Sequence, residues 1–348
     1  MCRNINYKIR ENKSGLMRNI IVGGQYGDEG KGKIVSYLAL NDNPEIIARG
    51  GVGPNAGHEV NYKGKRYPMR MLSCGFVNKN ARILIGAGVV VNPEVFLKEV
   101  ELIGGNPKRC GVDFRATWLT REHIERDSSQ TPGIIGSTKT GCGPAVMDRA
   151  GRIAKTVAEC PELKPYLTDV VKEIHQAKNV LIEGSQGFML SVLYGTYPFV
   201  TSKDVSASTI AADVGLGPKD VDEVIMVVKA YTTRVGGGPF KNEVKTEEAQ
   251  KAGMQEYGTV TGRPRRTSFE LHWDDLKLAA LINSATQIAL TKIDVKFPGN
   301  AKVRKYEELT GEAKRFVEEI EKRIGVPVTL IGTGPDTEDI IDRREKIL

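Results

Sequence analysis

The chain has 348 residues, 40% of them apolar and 27% charged, with a formal net charge of +7, the balance of an ordinary globular protein. Nowhere do 18 apolar residues run together, which excludes a membrane-spanning helix, and the first residues lack the apolar core and cleavage site of a secretory signal. Residues 1–16 hold +3 of the charge (Arg3, Lys8, Arg10 and Lys13 against Glu11), and without an arginine stripe or an aromatic-interleaved basic patch elsewhere no nucleic-acid partner is expected.

Residues 1–16 are polar and without period, and are expected to form a non-core extension ahead of Met17. Short Val- and Ile-rich runs come next at Ile20–Gly23, Ile46–Ala48, Ile83–Ile85, Val180–Ile182, Val224–Val228, Ile288–Leu290 and Val328–Ile331. Runs that are apolar at consecutive positions read as buried, mostly parallel strands. Between them, Pro93 and Glu94 open a helix after the cap residue Asn92. Leu309, Ala313, Phe316, Val317, Ile320 and Ile324 recur at helical spacing, with Gly311 near the start and Gly325 after the end. The expected fold is α/β: an open, mostly parallel central sheet flanked by helices, forming one domain over 17–348.

The turns at the strand ends carry the chemistry. Ile20–Val22 runs into Gly23-Gly-Gln-Tyr-Gly-Asp-Glu-Gly-Lys-Gly-Lys33, which leads into the apolar positions Ile34, Val35 and Leu38. Glycines let successive backbone N–H groups curl round phosphate oxygens, and a helix N-terminus adds positive potential. The loop predicts a P-loop-like nucleotide-binding fold without a true Walker A. Five residues rather than four separate Gly24 from Gly30, and Gly32 stands where a Mg²⁺-binding Ser or Thr belongs. Its acids would repel phosphate unless a metal or a proton transfer needs one, so Asp28 is a candidate metal ligand and general base. The plain alternative is a glycine-rich structural turn.

The second run leads into Gly50-Gly-Val-Gly-Pro-Asn-Ala-Gly-His58. Of the four histidines, His123 and His175 lie in charged helical sequence and His272 at a helix start, so ordinary packing or surface roles suffice for them. His58 sits in a glycine-rich loop where an imidazole can approach phosphate. Later strands end on Glu183-Gly-Ser-Gln-Gly187, Thr291-Lys-Ile-Asp294 and Gly332-Thr-Gly-Pro335. Polar, glycine-rich turns at the carboxyl ends of strands are where open α/β sheets take ligands. Five cysteines (Cys2, Cys74, Cys110, Cys142, Cys160) without a C-x-x-C pair fit a reducing cytoplasm better than a disulfide framework or zinc site.

At Gly27-Asp-Glu-Gly-Lys-Gly-Lys33 and Asn55-Ala-Gly-His58 the chain resembles the adenylosuccinate synthetase family. The likeness continues in order through Ile135-Gly-Ser-Thr138 with Gly143-Pro144, Glu183 to Gly187, and Gly195-Thr-Tyr-Pro-Phe-Val-Thr201. It goes on through Gly215-Leu-Gly-Pro218, Lys229-Ala-Tyr-Thr-Thr-Arg-Val235, Gly262-Arg-Pro-Arg-Arg-Thr267, Thr291 to Asp294 and Thr333-Gly-Pro335. It covers about Met17 to the end and is similar to the compact archaeal-type form.

The resemblance implies a GTP-dependent ligase of purine synthesis that joins IMP and L-aspartate through 6-phosphoryl-IMP, with Mg²⁺, as a cytoplasmic homodimer. It implies Asp28 as the base at N1 of IMP and, with the Gly57 carbonyl, a Mg²⁺ ligand. It implies His58 as the acid at the transferred phosphate. IMP would be held by Asp28, Glu29, Gly30, Lys31, Asn55, Ala56, Gly57, His58, Thr138, Gln186, Thr201 and Arg263, with Arg152 reaching it across the dimer. Aspartate would be gripped by Thr259, Val260, Thr261, Gly262, Arg263, Pro264 and Arg265. GTP would lie against Gly27 to His58 through Gly27, Asp28, Glu29, Gly30, Lys31, Gly32, Lys33, Gly57 and His58. Arg265 would approach it too, and Lys292, Ile293, Asp294, Gly332, Thr333 and Gly334 would take guanine.

The chain departs from the family's pattern at Lys139-Thr140, where Gly-Arg is common, at Val260 in place of a hydroxyl residue, and at Pro264 within the arginine run. The stretches Arg152–Glu183 and Asp294–Gly332 are short. None of these removes a group the two-step chemistry needs. Two other classes stay open at this point. A regulatory GTPase switch shares the Thr291–Asp294 pattern but needs the missing Walker A hydroxyl, and a passive nucleotide-binding module leaves Asp28 unexplained.

Overall fold

Successive strand side chains point to opposite faces, so a run such as Ile20–Val22 or Val224–Val228 must be covered on both sides. The computed structural model, which describes residues 16–130, 133, 136–258 and 262–347, covers these runs in that way. The expectations for residues 1–15, Ile135 and Thr259, Val260 and Thr261 lie outside the described residues. Leaving aside the two-residue pair Val90–Val91 and Thr117–Trp118, the strands in chain order are β1 (Met17–Gly23), β2 (Ile46–Arg49), β3 (His58–Tyr62), β4 (Lys65–Met69), β5 (Arg82–Ile85), β6 (Cys110–Asp113) and β7 (Leu167–Thr168). They continue with β8 (Asn179–Glu183), β9 (Glu223–Lys229), β10 (Thr232–Arg234), β11 (Arg266–Ser268), β12 (Gln287–Thr291), β13 (Val328–Gly332) and β14 (Ile340–Asp342).

Ten of these form one sheet in the order β14-β13-β12-β9-β1-β8-β2-β5-β6-β7. Every pairing is parallel except β13 with β14. All seven anticipated runs lie in it. The edge strands β7 and β14 and the inner β6 carry too few consecutive apolar residues to stand out in the sequence. β3 and β4 form a separate antiparallel hairpin.

The alternation divides the core in two. Ile20, Val22, Val180, Ile182 and Met226 join one apolar cluster, while Ile21, Leu181, Ile225 and Val227 join the other. Helices α1 (Lys31–Asn41) and α2 (Pro93–Leu102) cover the second face through Ile34, Leu38, Phe96 and Val100. A third helix, α3 (Cys142–Ala150), lies off the sheet. Helices α4 (Trp273–Asn283) and α5 (Gly311–Ile324) cover the first face through Leu276, Ala279, Val317 and Ile320.

The caps are as the sequence suggests. Asn92 Oδ1 accepts from Val95 N at 3.1 Å, and Gly325 ends α5 at φ +77°. Leu309 is not in α5; it is buried just ahead of the cap residue Thr310.

Chain order and sheet order cross over at β1. Strands before residue 170 build outward beyond β2, β8 returns between β2 and β1, and the chain from β9 onward builds the other half. The carboxyl ends of β8, β1 and β9 therefore open on one crevice, the usual ligand place of such a sheet.

Candidate active site

The first glycine loop is held from within. Glu29 is fully buried; its Oε1 accepts from Gln25 N (2.9 Å) and Gly27 N (2.8 Å), and its Oε2 from Lys31 Nζ (2.8 Å). The side chains of Glu29 and Lys31 are thus engaged with the loop and each other. Gly30 adopts φ +90° as the α1 cap; Lys33 N and Ile34 N donate to its carbonyl (3.1 and 3.4 Å), while the N–H groups of Lys31 and Gly32, which have no acceptor within the helix, can meet an anion. A Cβ on Gly187 would stand 2.3 Å from Gly27 N, so the Glu183–Gly187 turn packs backbone to backbone against this loop.

Of the two loop acids, Asp28 borders the cavity. Its Oδ2 accepts from the Thr233 hydroxyl and from Lys229 Nζ (3.4 Å), with Arg265 Nε at 3.2 Å. Its Oδ1 is buried and has no partner. A buried oxygen left unsatisfied costs about 1–3 kcal/mol and marks a place prepared for a ligand.

His58 is not in a loop, as its glycine surroundings suggest, but opens β3 opposite Met69. Its Nδ1 bonds the Glu183 carboxylate, whose other oxygen accepts from Ser73 Oγ (2.5 Å) and Cys74 N (2.8 Å). Arg49 Nη1 lies 2.7 Å from Nδ1 and 3.1 Å from Glu183 Oε1. Since a guanidinium only donates, the Nδ1 proton belongs to the Glu183 bond and Arg49 serves the carboxylate.

Burial first, then Arg49, lowers the His58 pKa to about 4, which favours the neutral ring near pH 7. Burial alone would raise Glu183, but His58 and Arg49 outweigh it and hold it at about 2. The His58 Nε2 is buried and unpartnered. The donor atoms of His58, Cys74 and Glu183 lie within 4.8 Å of one another. Burial pushes the Cys74 thiol well above its usual range, however, and the adjacent guanidinium repels a dication, so the group orients His58 rather than binding an ion.

A cavity of about 530 Å³ opens beside Asp28 and is lined by Asn55, Gly57, Thr138, Gln186, Thr201 and Arg263, among others. All are residues the resemblance assigns to IMP. They are connected: Gln186 Nε2 donates to Asn55 Oδ1 (2.9 Å), and Asn55 Nδ2 donates to Thr201 Oγ1 (3.1 Å). Arg263 Nη2 donates to Gly136 O at 2.9 Å. Ala56 and Arg265 also border the cavity. Lys139 turns to Asp127 O (2.9 Å), while Thr140 lines the cavity. Arg152 is exposed and stands outside this lining.

The guanine candidates sit at the ends of adjacent strands, with Leu290 opposite Ile331. Lys292 takes φ +62° ahead of the short helix Ile293–Lys296, and Ile293 is buried. Lys33 ties α1 to the second turn, donating to Asp339 O (2.8 Å) and to Gly334 O; burial lowers it to about 8. Thr333 uses its hydroxyl inward, on Val303 O at 2.7 Å. Burial raises the Asp294 pKa.

The sequence reading missed Arg49, the orienting role of Glu183, Lys229 and Glu256. Glu183 and Lys229 stood within the quoted motifs, but nothing local shows that a carboxylate at 183 meets a histidine at 58. Glu256 lies just outside every motif.

The family model for adenylosuccinate synthetase matches residues 20–161 and 154–298. The adenylosuccinate synthetase of Archaeoglobus fulgidus is 55% identical over 337 residues, covering 94% of this chain and 99% of the relative. A solved structure of fully ligated adenylosuccinate synthetase from Plasmodium falciparum is 28% identical, with a TM-score of 0.87, covering 94% of this chain and all of that one. The succinoaminodeoxyadenylate synthetase of cyanophage S-2L, solved with dGMP and dATP as energy donor, is 26% identical with a TM-score of 0.79, covering 94% of this chain and 95% of that one.

Proposed function

The chain belongs to the adenylosuccinate synthetase family, and on that premise we infer that it joins IMP to L-aspartate with GTP, releasing adenylosuccinate, GDP and phosphate. The observation that carries the site assignment is a pair of buried, unpartnered atoms, Asp28 Oδ1 in the loop after β1 and His58 Nε2 at the start of β3, in the two motifs that carry the family resemblance.

The purine oxygen at C6 is a poor leaving group, so it must be phosphorylated before an amine can displace it. Asp28 Oδ1 removes the N1 proton; the electron pair shifts to O6, which attacks the γ-phosphorus of GTP as the bond to GDP breaks. His58 Nε2 then binds the transferred phosphoryl oxygens. Their negative charge favours the imidazolium, with Glu183 supporting it from Nδ1. The aspartate amine adds at C6, the C6–O6 bond breaks, and phosphate leaves with O6.

Asn55, Gln186, Thr201, Thr138 and Arg263 would hold IMP. Arg263, Pro264, Arg265 and residues 259–262 would hold aspartate, whose carboxylates suit guanidinium forks. Lys292, Asp294 and Gly332–Gly334 would hold guanine. Asp28 and the carbonyl of Gly57, which lines the same cavity, are hard oxygen donors that fit Mg²⁺. When bound, Mg²⁺ would neutralise charge on the phosphoryl group in flight.

One domain from Met17 onward is part of the proposal, because the ten-stranded sheet runs from β1 to β14. So is a homodimer. Met147 and Tyr197 line the cavity yet are 66% and 76% exposed, and Ile153, beside Arg152, is 75% exposed; a second copy would cover them and bring its Arg152 to the phosphate of IMP. The test of the reaction is phosphate release from GTP with each substrate omitted in turn. Turnover needs all three; release without IMP would instead indicate a GTPase.

A further inference from the structure

Lys229, Tyr231, Arg265 and Lys292 converge on one carboxylate that the reaction scheme leaves without a task, that of Glu256. Its Oε2 accepts from Lys229 Nζ (3.1 Å) and from Arg265 Nη1, and its Oε1 accepts from Tyr231 OH (2.7 Å) with Lys292 Nζ at 3.3 Å. Burial alone would raise this carboxyl, but Lys229, Lys292 and Arg265 outweigh it and hold it far below the usual range.

Two of these cations also stand on Asp28: Lys229 at 3.4 Å and Arg265 at 3.2 Å from Oδ2. The backbone repeats the link, since Arg265 N donates to Glu256 O (2.9 Å) and Gly258 N to Arg263 O (2.8 Å). Glu256 and Arg265 thus close the stem of the 256–265 loop.

We propose that Glu256 is a positioning residue that holds Arg265 for aspartate and shares Lys229 and Arg265 with Asp28, so that neither cation turns wholly onto the base. Without it, three cations lose their shared anion, and for two of them, Lys229 and Arg265, the carboxylate left in contact is Asp28, whose Oδ1 would be drawn to them. Arg265 would also lose the partner that fixes its fork. Lys292 joins the same carboxylate from the guanine side, so the nucleotide and acceptor sides share one anchor. The inference rests on the assignment of Arg265 to aspartate.

The test uses Glu256→Gln and Glu256→Asp in the full chain. The measurements are kcat, the KM of each substrate, and melting temperature. For Glu256→Gln the expectation is a fall in kcat of about a hundredfold, the scale of a small misplacement at a reacting group. The aspartate KM should rise about tenfold, a loss of roughly 1.4 kcal/mol in binding, while the KM values for IMP and GTP move less than threefold. Glu256→Asp, which keeps the charge, should recover part of both losses. Three results overturn the proposal: kcat and aspartate KM within threefold in both variants, a rise in all three KM values together, or failure of both variants to fold. Arg265→Leu is run beside them. If it leaves the aspartate KM unchanged, the aspartate assignment fails, and the kcat loss in Glu256→Gln alone judges the link to Asp28.

Discussion

In the loop after β1 the Glu29 carboxylate accepts two backbone N–H groups and one lysine, whereas at the stem of the 256–265 loop Glu256 is met by side chains alone, three of them cationic. The phosphate side is therefore fixed by one buried carboxylate bonded to the backbone N–H groups of its own loop. The acceptor side has two backbone bonds at its stem, but its carboxylate is held only by side chains, among them Arg265 and Lys292, that are also assigned to ligands. A substitution on the phosphate side should remove a chemical group and leave the frame intact; one on the acceptor side should disturb affinity and geometry together.

The largest effect is expected at Asp28. Asp28→Asn keeps the size but cannot take the N1 proton, and kcat should fall about 10³-fold while GTP binding, measured by titration, stays largely intact. Turnover near that of the parent would remove Asp28 as the base. His58→Asn should cost about 10²- to 10³-fold in kcat, the scale of a lost transition-state donor, with IMP affinity little changed. Glu183→Gln is the finer probe. If the carboxylate orients Nδ1–H, the amide should cost about ten- to a hundredfold in kcat with unchanged substrate KM values. An equal loss in IMP affinity would mean that Glu183 builds the binding loop instead.

Across the comparison lies base reading at Asp294. Guanine offers two adjacent donors that one carboxylate can accept in a fork, and adenine does not. Asp294→Asn should lower kcat/KM for GTP by about a hundredfold and raise it for xanthosine triphosphate, whose O2 accepts from the new amide. An unchanged preference in rates measured with both nucleotides would take Asp294 out of base recognition. The smallest signal is expected from subunit mixing. Inactive Arg152→Leu and inactive Asp28→Asn chains should together recover about a quarter of the parent activity through hybrid sites, the share expected for random pairing in a two-fold dimer. No recovery despite demonstrated subunit exchange would place Arg152 in its own subunit's site or outside it.

The sheet was readable because its central strands are apolar at consecutive positions, which solvent-facing strands avoid. Leu167–Thr168 and Ile340–Asp342 were not readable, since two or three residues carry no period. The motif glycines likewise announced a phosphate loop, and Asp28 stood out as an acid where an acid is unwelcome. Pairing at long range is the part a sequence hides. Arg49 with Glu183, and Glu256 with Lys229 and Lys292, become neighbours only when parallel strand ends meet. His58 was misplaced onto a loop because the glycines before it masked the start of a hairpin strand.

The central claim is that O6 of IMP is phosphorylated before the aspartate amine displaces it, with Asp28 as the base and His58 as the acid. Supplying IMP labelled with ¹⁸O at C6, in ordinary water, and weighing the released phosphate tests it most directly. The account predicts that each phosphate formed with adenylosuccinate carries one labelled oxygen, because the C6–O6 bond is the one that breaks. Phosphate released without label would mean that GTP is cleaved by water, and the roles assigned to Asp28 and His58 would fall with it.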